Sequence, residues 1–221
     1  MDVEPIAEGL WRWTTRHPDW TPAEGGEDGW DPEVGCVYCE AGDAIVLVDP
    51  LAPADPGEAE RFWRALDRDV ERAGKPVAVL LTVFWHARSA ETILERYDSA
   101  TVWAHEGAES EIAKRTRFTN SFAPGDPLPG QVEAFEANRR GEALFWIPEH
   151  RALVAGDVFL GTPGGGVRTC PDSWLPNGVE PWEFRASLRP VLELPVEIVL
   201  LAHGGPILEN GRDALRRALA T

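Results

Sequence analysis

The segment GCVYCEAGDAIVLVDP, residues 35–50, carries the pattern on which the fold assignment rests. Two apolar runs, 34–38 and 44–48, lie on either side of a turn at 40–43 and predict a β-hairpin. The hairpin ends at Asp49-Pro50, so an acidic side chain closes its second strand. The chain therefore begins its core with an antiparallel pair that places a carboxylate at a strand end.

Helix and strand patterns alternate downstream of the hairpin. Residues 57–73 predict a helix because Phe62, Leu66 and Val70 recur on one face. Further helices are predicted at 90–97, 107–114, 182–192 and 211–219, strands at 77–82, 101–104, 131–135, 142–147, 152–155 and 196–201, and a loop at 161–178. This order predicts an α/β fold with two sheets between outer helices, a four-layer αββα sandwich in one domain, 1–221.

Four segments, in order and with suitable spacing, resemble metallo-β-lactamase-fold hydrolases. They are GCVYCEAGDAIVLVDP (35–50), TVFWHARSA (82–90), WIPEHRALVAGDVF (146–159) and EIVLLAHGG (197–205). The resemblance covers about residues 5–210. It implies the αββα sandwich named above, with Asp49 closing the hairpin strand, Asp157 in the position of a metal-bridging aspartate and His203 in the position of the last metal ligand.

The metal signature of that family is largely missing from this sequence. Aligning Thr82 with the family motif T-H-x-H-x-D-H-x-G places the four expected ligands on Val83, Trp85, Ala87 and Arg88. The family's middle histidine falls near Asn138, whose amide is a poor zinc ligand. Because zinc needs three or four N, O or S ligands, the loss of these ligands predicts no cofactor, and it leaves open only a single weakly bound metal ion.

Four residues are candidates for the chemistry of the remaining site, namely Asp157, His203, His86 and Arg88. Without a metal, the Asp157 carboxylate needs a positive or donating partner, and we expect Arg88 or His203 in that position. His86 lies one position off the ligand register and is either structural or catalytic. Arg88→Ala should then destabilise the protein more than substitution of the exposed Arg216.

The expected pocket lining comprises Trp85, Asn138 and Asp49, with Trp85 filling the space of a metal ion and its water. A Gly-, Pro- and Asp-rich loop at 21–33 adjoins Trp20 and Trp30, which either pack in the core or line the same pocket. Whether His17 of the segment TTRHPDW reaches that pocket is left open by the sequence.

The spacing Cys36-Val37-Tyr38-Cys39 is that of a CxxC motif, but it falls on a predicted strand. An odd spacing on a strand turns the two thiols to opposite faces, so packing is favoured over redox or zinc chemistry. Cys170 has no neighbouring residues that would identify a nucleophile.

Charge and hydropathy restrict the partners of this chain. A net charge of −16 repels phosphate backbones and anionic membrane surfaces, so we expect a small-molecule ligand or substrate and no nucleic acid or membrane. No apolar run approaches the roughly 18 residues of a membrane span, and no signal peptide is visible, which predicts a cytoplasmic protein. The oligomeric state stays open.

Two functions fit these observations. The first is a metallo-β-lactamase-fold protein of the hydrolase superfamily that has lost most metal ligands and is not a conventional zinc hydrolase. The second is an active hydrolase of esters, thioesters or lactones that uses a reduced or metal-independent site at His86, Asp157 and His203. Fold alone does not choose between them, so the sequence leaves it open whether the protein is an enzyme.

Overall fold

The computed structural model describes residues 1–26, 28–139 and 141–220. Its first sheet has seven strands, and their order in the sheet is their order along the chain. The strands are β1 (Asp2–Ala7), β2 (Leu10–Arg16), β3 (Glu33–Glu40), β4 (Ile45–Val48), β5 (Val77–Leu81), β6 (Thr101–His105) and β7 (Asn120–Phe122). Neighbours are antiparallel up to β4 and parallel from β4 to β7. The parallel pairs need crossover connections, which helices supply.

A second sheet has four strands in the order β13-β10-β9-β8. Its strands are β8 (Glu133–Glu136), β9 (Ala143–Ile147), β10 (Ala152–Val154) and β13 (Ile198–Leu200), and a separate antiparallel ribbon comprises β11 (Phe159–Gly161) and β12 (Val167–Thr169). Within the second sheet β10 and β13 are parallel and the other pairs are antiparallel.

Five α-helices cover the outer faces of the sheets within the described residues. They are α1 (Pro56–Ala73), α2 (Ala90–Arg96), α3 (Glu109–Ile112), α4 (Pro181–Ser187) and α5 (Gly211–Ala218). The longest, α1, begins where the Asp55 side chain accepts a hydrogen bond from the Glu58 N–H and ends at Gly74, whose φ is +62°. It buries Phe62 and Leu66, as its apolar stripe predicts.

Strand alternation sorts the core into layers. On β4, Ile45 and Leu47 face α1 and α2, whereas Val46 and Val48 face Phe145 and other residues of the second sheet. The opposite face of the second sheet packs against α4 and α5 in a third cluster. The structure thus has the predicted αββα layering. Cys36 and Cys39 fall in different clusters, so the prediction that their thiols face opposite ways is confirmed.

Three local predictions differ from the structure. The N-terminal strands β1 and β2 were not expected, because Arg12 and Trp11 interrupt the apolar pattern of β2. The predicted loop 161–178 contains β12. The predicted helix 182–192 is α4 followed by a separate 3₁₀ turn, Arg189–Glu193, where Pro190 lacks the N–H that would continue an α-helix. No helix among the described residues is long and apolar enough to cross a bilayer.

Candidate functional site

The strand ends of the two sheets supply the site residues. Asp49 directly follows β4 and Thr82 directly follows β5, and because these strands are parallel both residues lie at one edge of the first sheet. Asp157 and His203 each follow the ends of the parallel strands β10 and β13 by three residues. The sheets meet here, since the Ala143 N–H donates to the Thr82 carbonyl at 2.8 Å.

His86 is oriented by a carboxylate. It lies in the 3₁₀ turn Phe84–Ala87, is buried, and its Nδ1 lies 2.9 Å from Asp49 Oδ2 and 3.1 Å from Thr82 Oγ1. Thr82 in turn donates from its backbone N and its hydroxyl to the two Asp49 oxygens, at 2.8 Å and 2.5 Å. Asp49 is an acceptor for all three groups, so it places a proton on His86 Nδ1 and directs Nε2 away from itself, toward Asp157.

Asp157 lies at the centre of the site. Its Oδ2 accepts a hydrogen bond from Trp85 Nε1 at 2.8 Å. Its Oδ1 lies 3.4 Å from His86 Nε2 and 3.2 Å from His203 Nε2, but it is buried without an aligned hydrogen bond from any described residue. Burial raises the pKa of Asp157, but His86 and His203 outweigh it and hold this pKa well below its usual value. This oxygen is therefore a charged acceptor between two imidazole rings.

The backbone around His203 is fixed by a buried arginine and a close glycine contact. Arg12 Nη2 donates to the carbonyl oxygens of Leu201 at 3.3 Å and Gly204 at 2.6 Å. Gly204 has a φ of +95°, and a Cβ on it would lie 2.6 Å from Gly161 Cα, so only glycine fits. The His203 ring packs 5.1 Å from the Trp30 ring, and its Nδ1 is buried without a hydrogen-bond partner in the described ranges of the chain.

Three ligand atoms converge in this arrangement. One from each of His86, Asp157 and His203 lie within 4.8 Å of one another, and all three residues are buried. Burial and Arg88 lower the pKa of His86, but the carboxylates of Asp157 and Asp49 outweigh them and raise it to about 9. Two imidazoles and one carboxylate, with the Asp49 carboxylate behind one imidazole, have the donor chemistry of a single divalent transition-metal site.

A buried ion pair supports the opposite side of Asp157. Glu142 Oε1 accepts from the Asp157 backbone N–H at 2.9 Å, and its other oxygen binds Arg139 Nη1. Burial raises the pKa of Glu142 to about 7, against the lowering effect of Arg139. The Arg139 guanidinium also lies over the Trp85 ring, 5.2 Å from its centroid. This pair therefore fixes both the Asp157 backbone and the ring that binds its side chain.

A cavity of about 1100 Å³ opens above this cluster. His86, Asp157 and His203 all contribute to its lining. Three tryptophans, three arginines and one further histidine also line it, namely Trp30, Trp85, Trp174, Arg88, Arg115, Arg139 and His17. Its volume and mixed lining suit a small organic molecule. Trp20 does not line the cavity but donates from Nε1 to the Trp30 carbonyl at 2.9 Å.

The candidate residues predicted from the sequence differ in whether they contact Asp157. His203 and Trp85 both contact Asp157, as expected. Arg88 forms no ion pair with Asp157, although the structure describes both residues. Its Nη1 donates to the Asp49 carbonyl at 3.3 Å, because the positive φ of 29° at Arg88 turns the chain before α2.

Two expected lining residues lie outside the cavity. Asp49 lies one layer deeper, behind His86, where it acts on that ring. The Asn138 side chain is exposed and its backbone N–H binds Ser187 Oγ, because the turn after β8 carries it away from the strand ends. Asn138 is therefore no counterpart of the family's middle histidine in this chain.

Sequence reasoning placed His86 out of register and missed the Arg139–Glu142 pair. Strand alternation would turn His86 away from the ligand positions, but residues 84–87 form a turn in which alternation does not apply. For the pair, the available signal was a glutamate at the start of an otherwise apolar strand, with an arginine three residues earlier. A buried charge at such a position requires a partner.

Comparisons with known proteins agree on the fold. No family model and no curated protein matches the sequence. The metallo-β-lactamase FIM-1 from Pseudomonas aeruginosa, solved in its mono-zinc form, is similar at TM-score 0.68 and 13% identity, covering 99% of this chain and 94% of that one. A metallo-β-lactamase family protein from Thermus thermophilus is similar at TM-score 0.65 and 17% identity, covering 98% of this chain and 80% of that one.

A metallo-β-lactamase from Erythrobacter litoralis, solved with β-mercaptoethanol in its active site, is similar at TM-score 0.68 and 16% identity, covering 99% of this chain and 94% of that one. At these identities the likeness establishes architecture and not activity. The chain has the metallo-β-lactamase fold, and the fold that the sequence resemblance implied is confirmed.

Proposed function

We propose that this chain is a hydrolase of small carbonyl compounds, whose site holds one divalent transition-metal ion through His86, Asp157 and His203. The observation that carries the proposal is the buried Asp157 Oδ1, which accepts no aligned hydrogen bond from the residues that the structure describes and lies between His86 Nε2 and His203 Nε2. A buried charged oxygen without an aligned donor is costly. A metal ion held by these three atoms would satisfy it.

The donor set supports one ion and not two. Trp85 Nε1 already donates to the second oxygen of Asp157, so an ion bound there would compete with the indole N–H. Among the residues that the structure describes, the cluster has three members. Three protein ligands and an open position are typical of catalytic zinc sites. This proposal replaces the expectation of a metal-free protein.

The residues of the chain prepare the site for hydrolysis. When bound, the ion would supply a Lewis acid and an ionised water. Asp49 holds His86 so that Nε2 is free as a ligand, and Trp85 holds Asp157 so that Oδ1 faces the two rings. Metal binding would displace the proton that the raised pKa of His86 retains.

His17 is the candidate for proton transfer to a leaving group. It lines the cavity, and its Nδ1 accepts from the Asp19 N–H at 3.3 Å, which leaves the proton of the neutral ring on Nε2. Burial, with a smaller contribution from Arg88, lowers its pKa. Esters, thioesters and lactones are the substrates to test, and the alkoxide that leaves an ester or a lactone after carbonyl attack needs one proton.

A non-catalytic binding protein is the second candidate. The Trp85 side chain favours it, because this ring lines the cavity and already hydrogen-bonds the central carboxylate. In that case the cavity would bind a small molecule without turnover. Metal content separates the two candidates most directly.

The test combines metal titration with turnover. Calorimetric titration of EDTA-treated protein with Zn²⁺, Mn²⁺ or Fe²⁺ should give one equivalent for at least one of these ions. Loss of a group that supports a metal ligand can weaken metal binding roughly 100-fold. His86→Ala and His203→Ala remove the ligands themselves, so each should weaken the binding by more than that. His150→Gln, in a turn outside the cluster, is the matched control and should bind like the parent.

Turnover is then assayed on chromogenic esters, thioesters and lactones with the preferred ion. The proposal expects activity that rises with metal loading up to one equivalent and disappears in His203→Ala. Tight binding without turnover on this panel would favour the binding protein. Failure of all three ions to bind, or binding that His86→Ala and His203→Ala leave unchanged, would refute the metal site.

A further inference from the structure

Arginine side chains contribute to the lining of the cavity in this strongly acidic protein. Arg88, Arg115 and Arg139 all line the cavity, although the chain has a net charge of −16. Arg139 is neutralised by Glu142. Within residues 1–26, 28–139 and 141–220, neither Arg88 nor Arg115 forms an ion pair with a carboxylate. Two guanidinium groups without a counterion in these ranges thus face the space above the three ligand residues.

Aromatic rings hold one of these guanidinium groups in place. Arg115 lies over the Phe84 ring, 5.2 Å from its centroid, and Phe84 packs edge-on against Trp85 at 4.6 Å. Stacking restricts the arginine to few rotamers, but it uses the face of the guanidinium and leaves the N–H groups in its plane free. Arg115 is therefore positioned and still has donors available.

The backbone at Arg88 is strained. Arg88 has a φ of 29° and a ψ of −103°, which a non-glycine residue rarely adopts. Its Nη1 makes a long hydrogen bond to the Asp49 carbonyl, and its Nε is buried without a partner among residues 1–26, 28–139 and 141–220. Such strain is concentrated at ligand sites and switch regions. Since it makes no ion pair with the described part of the protein, a ligand is the natural source of a counterion for this guanidinium.

We propose that the cavity selects ligands that carry an anionic group, a carboxylate or a phosphate monoester, and that Arg88 and Arg115 bind that group. The inference deepens the proposed function, since it names the substrate class of the same site. Planar guanidinium groups match both anions. Trp85 next to them offers an apolar surface for the remainder of the molecule.

The acidic residues of the cavity fix the position of the anion. Asp19, Glu24 and Asp28, from the loop between β2 and β3, also line the cavity and would repel a negative group. Asp157, between His86 and His203, would also repel the anionic group. The anion therefore belongs at the two arginines, and the neutral carbonyl group of the ligand toward His86 and His203.

Binding of three matched compounds to EDTA-treated protein tests this proposal without relying on metal or turnover. The compounds are 3-phenylpropanoate, 3-phenylpropanamide and 2-phenylethyl phosphate. The affinity of each is measured from the quenching of tryptophan fluorescence. At least one anion should bind about tenfold tighter than the neutral amide. The tighter of the two anions identifies the class as carboxylate or phosphate monoester.

The variants Arg88→Gln and Arg115→Gln should each reduce anion affinity about three- to tenfold and leave the affinity for the amide unchanged. Arg64→Gln, exposed on α1, is the matched control and should behave like the parent. Arg115 is exposed, so its substitution keeps the test valid even if Arg88→Gln folds poorly.

Equal affinity for the anions and the amide would overturn the proposal. So would anion binding that His203→Ala abolishes and the arginine variants do not alter, because the anion would then lie on the imidazole cluster. Anion binding by Arg88 and Arg115 in a protein that takes up no metal would refute the proposed hydrolase and retain this inference. Metal-dependent hydrolysis of neutral esters without anion preference would do the reverse.

Discussion

The two histidines on either side of Asp157 are held in different ways. His86 is fixed through its own ring, by Asp49 Oδ2 at 2.9 Å from Nδ1, and Asp49 is itself fixed by Thr82. His203 has no hydrogen-bond partner on Nδ1, in the part of the chain that the structure describes. Its support comes from the backbone, where Arg12 binds the carbonyl oxygens of Leu201 and Gly204, and from the Trp30 ring.

This difference shows two means of orienting a candidate ligand. A carboxylate on the distal nitrogen sets both the direction and the tautomer of a ring, so it acts on the ring's affinity for a metal ion. Backbone support sets only the position of the Cα atom and leaves the ring free to rotate about its side-chain torsions. We therefore expect substitutions on the His86 side to change metal affinity more than equivalent substitutions on the His203 side.

The largest effect is expected at Asp49. Asp49→Ala removes a buried acceptor for two Thr82 donors and for His86, and breaking a buried charged pair costs roughly 3–5 kcal/mol of unfolding free energy. Asp49→Asn keeps the volume but offers His86 Nδ1 an N–H, which moves the ring proton to Nε2. It should lose less stability and still bind metal about 10–100-fold more weakly.

Urea unfolding and metal titration check this prediction. Asp67→Asn is the control, because Asp67 also accepts hydrogen bonds from two side chains, Arg96 and Tyr97, but at the surface. Its loss should cost about 0–1 kcal/mol of unfolding free energy and leave metal affinity unchanged. If Asp49→Asn bound metal like the parent, the carboxylate would not control the His86 tautomer.

Arg12→Met tests the His203 side and should have the next largest effect. The substitution leaves two carbonyl oxygens without their charged donor, at roughly 1.5–3 kcal/mol for a hydrogen bond of this kind. Metal affinity should fall by less than it does in Asp49→Asn, since the His203 tautomer is not affected. Arg16→Met, exposed on the same strand, is the control in both measurements.

Much of the fold followed from strand patterns because burial on both faces leaves a simple trace. Residues 45–48 and 77–81 are uninterrupted apolar runs, and each lies where predicted as β4 and β5. Strands β1 and β2 left no such trace. β1 is the edge strand of the first sheet and β2 lies next to it, and their exposed positions admit Asp, Trp and Arg without a period of two.

The site was predictable where it depends on strand ends and not where it depends on turns. Asp157 and His203 follow β10 and β13, so strand pairing alone brings them together. The direction of His86 depends on the 3₁₀ turn Phe84–Ala87 and on the φ of Arg88, neither of which is encoded by periodicity. The same turn sends Arg88 to the Asp49 carbonyl instead of to Asp157.

Replacement of Trp30 tests how much ring packing contributes to the support of His203. Trp30→Leu removes an aromatic ring that contacts both His203 and His17, and such contacts contribute about 0.5–1.5 kcal/mol beyond area burial. Trp30→Phe retains an aromatic face and should be about 1 kcal/mol more stable than Trp30→Leu in thermal unfolding. Trp182→Leu, at a position 68% exposed, is the control for general loss of tryptophan. Equal stability of the two Trp30 variants would assign His203 support to Arg12 alone.

The smallest effect on stability is expected at Arg88. It distinguishes backbone strain at this residue from a side-chain contact with Asp157. If Arg88 formed a buried pair with Asp157, both Arg88→Ala and Arg88→Gly would be strongly destabilising, and far more so than substitution of Arg216. In the structure Arg88 instead makes one long bond to a carbonyl on the His86 side, and its backbone has a φ of 29°. Glycine relieves that strain and alanine does not, so Arg88→Gly should be about 0.5–1 kcal/mol more stable than Arg88→Ala. Urea unfolding of the two variants measures the difference. Both variants lack the guanidinium, so their difference in stability reports on the backbone. A lower stability of the glycine variant would contradict backbone strain at Arg88 and would show that this turn needs a side chain.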